Sequence, residues 1–171
     1  MSDVVARTRA ASLPDPSDAL AVAQSLDRVR RAAEQLERHS EELVALATTP
    51  VEVLRRTVAH LERELLHDHP ALVARRLREL CLIGPGPARL VQDHGRFPEG
   101  FAELRGLLHV LEQDDHGGNR QAVGQYGRVL LEAIRRHLVE EELLLAPSDP
   151  STEECRGSNA GPVTVPPLRN R

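Results

Sequence analysis

The chain has 171 residues, enough for one domain with a sizeable core, and carries a formal net charge of −4. This charge gives no electrostatic reason to expect binding to nucleic acid or to an anionic membrane. Leu, Ala, Arg and Glu dominate and Trp is absent, as is typical of helical proteins. No segment has the apolar length of a signal peptide or a membrane span, and Cys81 and Cys155 form no paired motif. We therefore expect a soluble, cytoplasmic protein.

Turn signals and apolar periodicity predict four long helices and one short one. These predicted helices cover residues 17–47, 50–69, 71–82, 88–112 and 119–146. Thr49, Pro50 and Glu52 are interpreted as a capping box that begins the second helix. Pro98 predicts a kink in the fourth.

Short connections between long amphipathic helices predict an all-α fold, an antiparallel up-down four-helix bundle over residues 17–147. Residues 1–16 are expected to be a flexible N-terminal segment. Residues 148–171 are rich in Pro, Gly and Ser without periodicity, so we predict a disordered C-terminal tail.

Two stretches of the chain repeat one pattern: HLERELLHDHP begins at His60, and HLVEEELLLAP begins at His137. Five of the eleven positions agree, and both stretches contain His-x-x-x-Glu. This spacing places an imidazole and a carboxylate on one helix face, about 6 Å apart along the axis. Either helix-forming composition repeats by chance, or two helices present the same ligand pair to one site.

Histidines also lie on the apolar stripes of two other helices, at His39 and His94. The midpoint between His39 and His60 falls in the Thr-Thr-Pro turn, and that between His94 and His137 falls in QDDHGGN. An antiparallel hairpin sets residues equidistant from its turn side by side, so each hairpin should pair its two histidines.

A metal site in one layer of the bundle follows as a hypothesis. Its predicted ligands are His39, His60, Glu64, His94, His137 and Glu141. A single inward histidine is more often a satisfied core residue, but four at matched levels with two glutamate partners favour a metal. His67 is expected at a solvated helix end beside Asp68 and His69. The arginine clusters, with acids interspersed, are expected on solvated helix faces.

This arrangement resembles the hemerythrin-like (HHE cation-binding) family. RRHLVEEELLLAP is the closest match to its motifs, and QDHGRF resembles the acid-His start of its third helix. The resemblance covers residues 17–147. The resemblance implies an oxo- or hydroxo-bridged di-iron centre that binds, senses or handles O2, NO or peroxide. Pro98 stands where the usual site has a fifth histidine. The alternative is a metal-free helical interaction or regulatory module derived from such a bundle. No catalytic residue is predicted, and enzymatic turnover is left open.

Overall fold

The computed structural model describes residues 16–46, 49–80, 82 and 84–146, which form five helices and no strand. The helices are α1 (Pro16–Leu46), α2 (Val51–Leu66), α3 (His69–Glu79), α4 (Pro85–Gln113) and α5 (Gly117–Leu145). The all-helical prediction is confirmed for these residues, with each helix end within three residues of its predicted position. No helix in these ranges is long and apolar enough to cross a membrane. The predicted N-terminal segment before Pro16, the tail after Ala146 and both cysteines lie outside the described residues.

The four long helices enclose one apolar core. α1 packs against α2 and α5, and α4 packs against the same two helices, which closes a ring. The largest side chains at its centre include Leu36, Leu54, Leu61, Phe101, Leu108 and Ile134, all fully buried. Burial of each such side chain stabilises the fold by roughly 1.5–3 kcal/mol, so the ring is held mainly by apolar packing.

α3 is the short extra helix, and it contacts all four long helices. It begins at His69, and Pro70 occupies one of its first positions, where a missing N–H costs no helical hydrogen bond. Its buried residues are His69, Val73, Arg76 and Leu77, an i, i+4, i+7, i+8 stripe. The first residue on this inward stripe is therefore a histidine.

One local detail differs from the sequence predictions. The capping box is wrong: the N-cap of α2 is Pro50, without a side-chain cap, and Thr49 Oγ1 donates a hydrogen bond to Glu42 Oε2 at 3.0 Å. The Thr49 hydroxyl therefore bonds a carboxylate of α1 and does not cap the first turn of α2. α4 continues through Pro98, whose missing N–H leaves the carbonyl of His94 without its usual helical donor.

Candidate metal centre

Three histidines and one glutamate meet inside the bundle, on three different helices. α3 supplies His69, α4 supplies His94, and α5 supplies His137 and Glu141. His69 and Glu141 are 0 % exposed, and His94 and His137 are also buried. His69, His94 and Glu141 each offer a ligand atom within 4.8 Å of the other two. These four residues are called the His/Glu cluster below.

Three atoms of the cluster form a nearly equilateral triangle. Nε2 of His94 lies 3.3 Å from Nε2 of His137. Oε1 of Glu141 lies 3.3 Å from the first nitrogen and 3.1 Å from the second. A metal ion about 2.0–2.2 Å from each of three ligand atoms holds them roughly 2.8–3.1 Å apart in octahedral geometry and about 3.3–3.6 Å apart in tetrahedral geometry, and the three observed distances lie between these limits. The triangle therefore has the size of one face of a coordination shell.

The tautomer of His94 suits this geometry. Its Nδ1 lies 2.9 Å from the carbonyl oxygen of Leu90, which can only accept, so Nδ1 donates and Nε2 carries the lone pair. Burial lowers the pKa of His94 to about 4, against the opposing effect of the Glu141 charge. At neutral pH the ring is thus uncharged with its lone pair facing the triangle, the form that binds a metal.

His69 fixes the orientation of Glu141. Its Nε2 lies 2.8 Å from Oε2 of Glu141, and its Nδ1 lies 3.1 Å from Oγ of Ser25. The network is satisfied when Ser25 donates to Nδ1 and the Nε2–H of His69 donates to Glu141. This bond occupies Oε2 and turns Oε1 toward His94 and His137. Although burial opposes its ionisation, His137 and His69 lower the pKa of Glu141 to about 2.

Two buried atoms of the cluster have no hydrogen-bond partner among the described residues: Oε1 of Glu141 and Nδ1 of His137. Oε1 has two nitrogens within 3.3 Å, but neither is aligned to donate to it. An unsatisfied buried polar atom costs about 1–3 kcal/mol. The ion pairs of Glu141 among the described residues are all with histidines, so a bound cation would supply the missing partner of Oε1.

Asp93 is the carboxylate nearest to the other unsatisfied atom. Its Oδ2 lies 3.8 Å from Nδ1 of His137, and Arg89 and Arg96 lie 3.8 and 3.7 Å from its oxygens. A ligating histidine commonly donates its second N–H to a carboxylate, which fixes the ring and its tautomer. Asp93 is placed for this role and needs to approach by about 1 Å to reach hydrogen-bond distance.

The structure brings three of the six predicted ligands together and leaves three outside the cluster. His94, His137 and Glu141 meet as described above. Nδ1 of His39 and Oγ1 of Thr57 share a hydrogen bond of 2.8 Å. His60 is 45 % exposed, with its Nδ1 3.8 Å from Glu64, and Oε2 of Glu64 receives a hydrogen bond of 3.0 Å from Arg28 Nε.

The axial separation between these two groups is large. Glu62, two residues after His60, pairs with Arg105, which lies eleven residues beyond His94 on α4. At 1.5 Å per residue, this puts Glu62 roughly 16 Å along the bundle from His94. Arg55 pairs with Glu112 farther along α4, so His60, which lies toward Arg55, is about 20 Å from His94 along the bundle. The pairing predicted for His94 with His137 is confirmed. In the other hairpin, His39 instead bonds Thr57, three residues before His60.

His69 is the site residue that the sequence analysis missed. It was expected at a solvated helix end, where His67 and Asp68 are exposed but His69 is buried. The signal that identifies it is the apolar stripe of α3, because Val73 and Leu77 follow His69 at i+4 and i+8. A predicted start at residue 71 excluded His69 from that stripe.

Ser25, His69 and Glu141 also line up as in a nucleophilic triad, but their burial excludes that chemistry. Ser25 is 1 % exposed, and the two other residues are fully buried. An acyl substrate has no route to Oγ of Ser25, so the serine serves as a hydrogen-bond donor to His69.

No protein-family model, curated protein or solved structure matches this chain. Its function is therefore inferred from the chemistry of the His/Glu cluster.

Proposed function

We propose that this protein is a non-heme iron protein in which His94, His137 and Glu141 hold one iron ion. The triangle of Nε2, Nε2 and Oε1 atoms is the observation that carries this proposal. Two histidines and one carboxylate on one face of an octahedral ion are typical of Fe(II) sites with open positions. His69 orients this carboxylate through its hydrogen bond with the other oxygen, Oε2 of Glu141.

One ion fits the cluster better than the di-iron centre that the family resemblance implies. A second iron needs further ligands, and the expected ones were His39, His60 and Glu64. His60 lies roughly 20 Å along the bundle from His94. Glu64 is bound to Arg28 and His39 to Thr57, so these side chains have other partners.

Small ligands are the proposed partners of this centre. When bound, the iron supplies open coordination positions where O2, NO or peroxide can bind and exchange electrons. A groove of about 390 Å3 between α4 and α5 is lined by Asp93 and Phe97. The ring of Phe97 packs edge-on against His137 with centroids 5.1 Å apart, so the side chain of Phe97 separates the groove from this ligand. Movement of Phe97 would open a short path from solvent for a small molecule.

We also infer that the bundle is hemerythrin-like and that its long helices run up and down. The short links from α1 to α2 and from α4 to α5 support this course, as does the closed ring of four helices. The His-x-x-x-Glu pair on α5, facing a histidine of α4, supports the family resemblance.

The metal-free interaction module is the second candidate, and the α1/α2 half of the bundle favours it. There the predicted ligands already pair with Arg28 and Thr57 without any ion. The two candidate functions differ in whether the His/Glu cluster binds a metal ion. The iron protein would bind one there, and the interaction module would not.

Anaerobic titration of metal-free protein with Fe(II) tests the proposal. We expect one equivalent to bind, and the absorption spectrum of the loaded protein to change when NO is added, or azide after oxidation. Zinc loading is the control and should give no such spectrum. Absence of Fe(II) binding would leave the interaction module as the better account.

A further inference from the structure

Arg76 is a buried cation outside the His/Glu cluster, and its hydrogen-bonding capacity is largely unused. It lies on α3, is 5 % exposed, and its Nη1 lies 3.4 Å from Oε2 of Glu79. Its Nε has no hydrogen-bond partner in the described part of the chain. Buried guanidinium groups are normally paired through several of their five N–H donors, since their desolvation is costly.

Glu79 is an incomplete counter-ion for Arg76. A hydrogen bond with Asp18, together with desolvation, raises the pKa of Glu79 above its usual range. Asp18 is in turn bound by Arg75, the exposed neighbour of Arg76. The charge of Glu79 is therefore shared within a network on the outer side of α3, and Arg76 meets it through one nitrogen only.

A groove between α1 and α5 is lined by Arg76 and has a volume of about 420 Å3. Sites for small organic ligands usually measure about 300–1,000 Å3. Most of its wall is apolar, supplied by Ala19, Val22, Ala23, Leu26, Leu145 and Ala146. An ion pair between Arg30 and Glu142 also borders it. The groove thus combines an apolar wall with one buried cation.

The free edge of Arg76 determines which ligand fits. Glu79 uses Nη1, which leaves the edge formed by Nε and Nη2. Nε is covered in this conformation, so a carboxylate binds that edge side-on, through two parallel N–H···O bonds, once the Arg76 side chain turns toward the groove. Glu79 and Glu142 stand nearby, so an anion with two or more charges would be repelled. An unbranched alkyl chain would bury its surface against the apolar wall.

We propose that this groove binds a medium-chain fatty acid, with the carboxylate on Arg76 and the alkyl chain along α1 and α5. The site is separate from the His/Glu cluster and needs no metal ion. It therefore stands or falls independently of the iron proposal.

Titration calorimetry of the full chain with octanoate tests this site. We expect one saturable site, and Arg76→Gln should weaken octanoate binding about tenfold or more, because a bidentate charged pair is lost. Arg75→Gln, next to it on α3, is the matched control and should stay within about twofold. Octanol should bind at least about tenfold more weakly than octanoate to the unchanged protein. Equal binding by Arg76→Gln and the parent would overturn the proposal.

A second variant guards against a folding defect in Arg76→Gln. Ala23 lines the groove from an exposed position, so Ala23→Phe fills it without disturbing the core. It should keep the parent's helical circular dichroism and lose octanoate binding, and retained binding would contradict the proposal. A chain ending at Ala146 should bind octanoate like the full chain. Binding only after that truncation would identify residues 147–171 as the occupant and overturn the fatty-acid site.

Discussion

The two His-x-x-x-Glu stretches have the same spacing but occupy opposite environments. On α2, Glu64 is 21 % exposed and meets the guanidinium of Arg28. On α5, Glu141 is fully buried and meets three imidazoles. An arginine is always charged, so it satisfies a carboxylate without any further ion. Oε1 of Glu141 has no hydrogen-bond partner among the described residues, so of the two pairs it is the α5 pair that has a place for a cation. Spacing places two side chains on one face, but the opposite helix decides what they bind.

The largest expected difference between the two stretches is the change in iron affinity when the carboxylate of each is removed. Glu141→Gln keeps the size of the side chain and removes its charge, so iron affinity should fall by more than about 100-fold. Glu64→Gln should leave iron affinity within about twofold, because its partner is Arg28. Metal titration of both purified variants measures the difference. Equal losses in the two variants would show that both stretches serve one site.

His69 and His60 provide the next contrast. His69→Ala removes the hydrogen bond that orients Glu141, which should weaken iron binding about 10–100-fold. It should also destabilise the metal-free protein by about 2–3 kcal/mol, because a buried charge loses a donor. His60 is half exposed, so His60→Ala should lower the free energy of unfolding by about 0.5 kcal/mol or less. Urea unfolding measures the free energies, and equal values would show that His69 orients nothing.

Acidification should destabilise the metal-free bundle through the cluster. Burial lowers the pKa of His94 from 6.5 to about 4, so the unfolded chain binds a proton in this window that the folded chain does not. The stability present above pH 6.5 is therefore lost as the pH falls toward 4, by about 3 kcal/mol at most. For Glu141, whose pKa falls from 4.5 to about 2, the loss continues between those two values. His94→Gln should lack the first loss in unfolding experiments across this range, whereas His60→Gln should retain it.

The smallest expected effect concerns Asp93. Asp93→Asn should weaken iron binding about tenfold, because Nδ1 of His137 loses its carboxylate acceptor. Glu140→Gln is the matched control, since Glu140 also pairs with Arg89 but forms no ion pair or hydrogen bond with the cluster among the described residues. Calorimetric titration with Fe(II) compares the two, and equal affinities would remove Asp93 from the site.

The sequence allowed prediction of the helices and of the half of the site that spans one hairpin. A three-residue link between α4 and α5 fixes their register, so His94 and His137 were paired correctly from their distance to the turn. The α1/α2 register differs by three residues, and His39 reaches Thr57. His69 could not be found in this way because it belongs to α3. Its inward position depends on where that short helix begins, and Pro70 beside it moved the predicted start.

The central claim is that one iron ion binds among His94, His137 and Glu141, and metal stoichiometry tests it most directly. Elemental analysis of protein produced with ample iron and purified gently should give close to one iron per chain, and Glu141→Gln prepared in the same way should give almost none. Two irons per chain would restore the di-iron centre implied by the family resemblance. A parent protein without any transition metal would contradict the account.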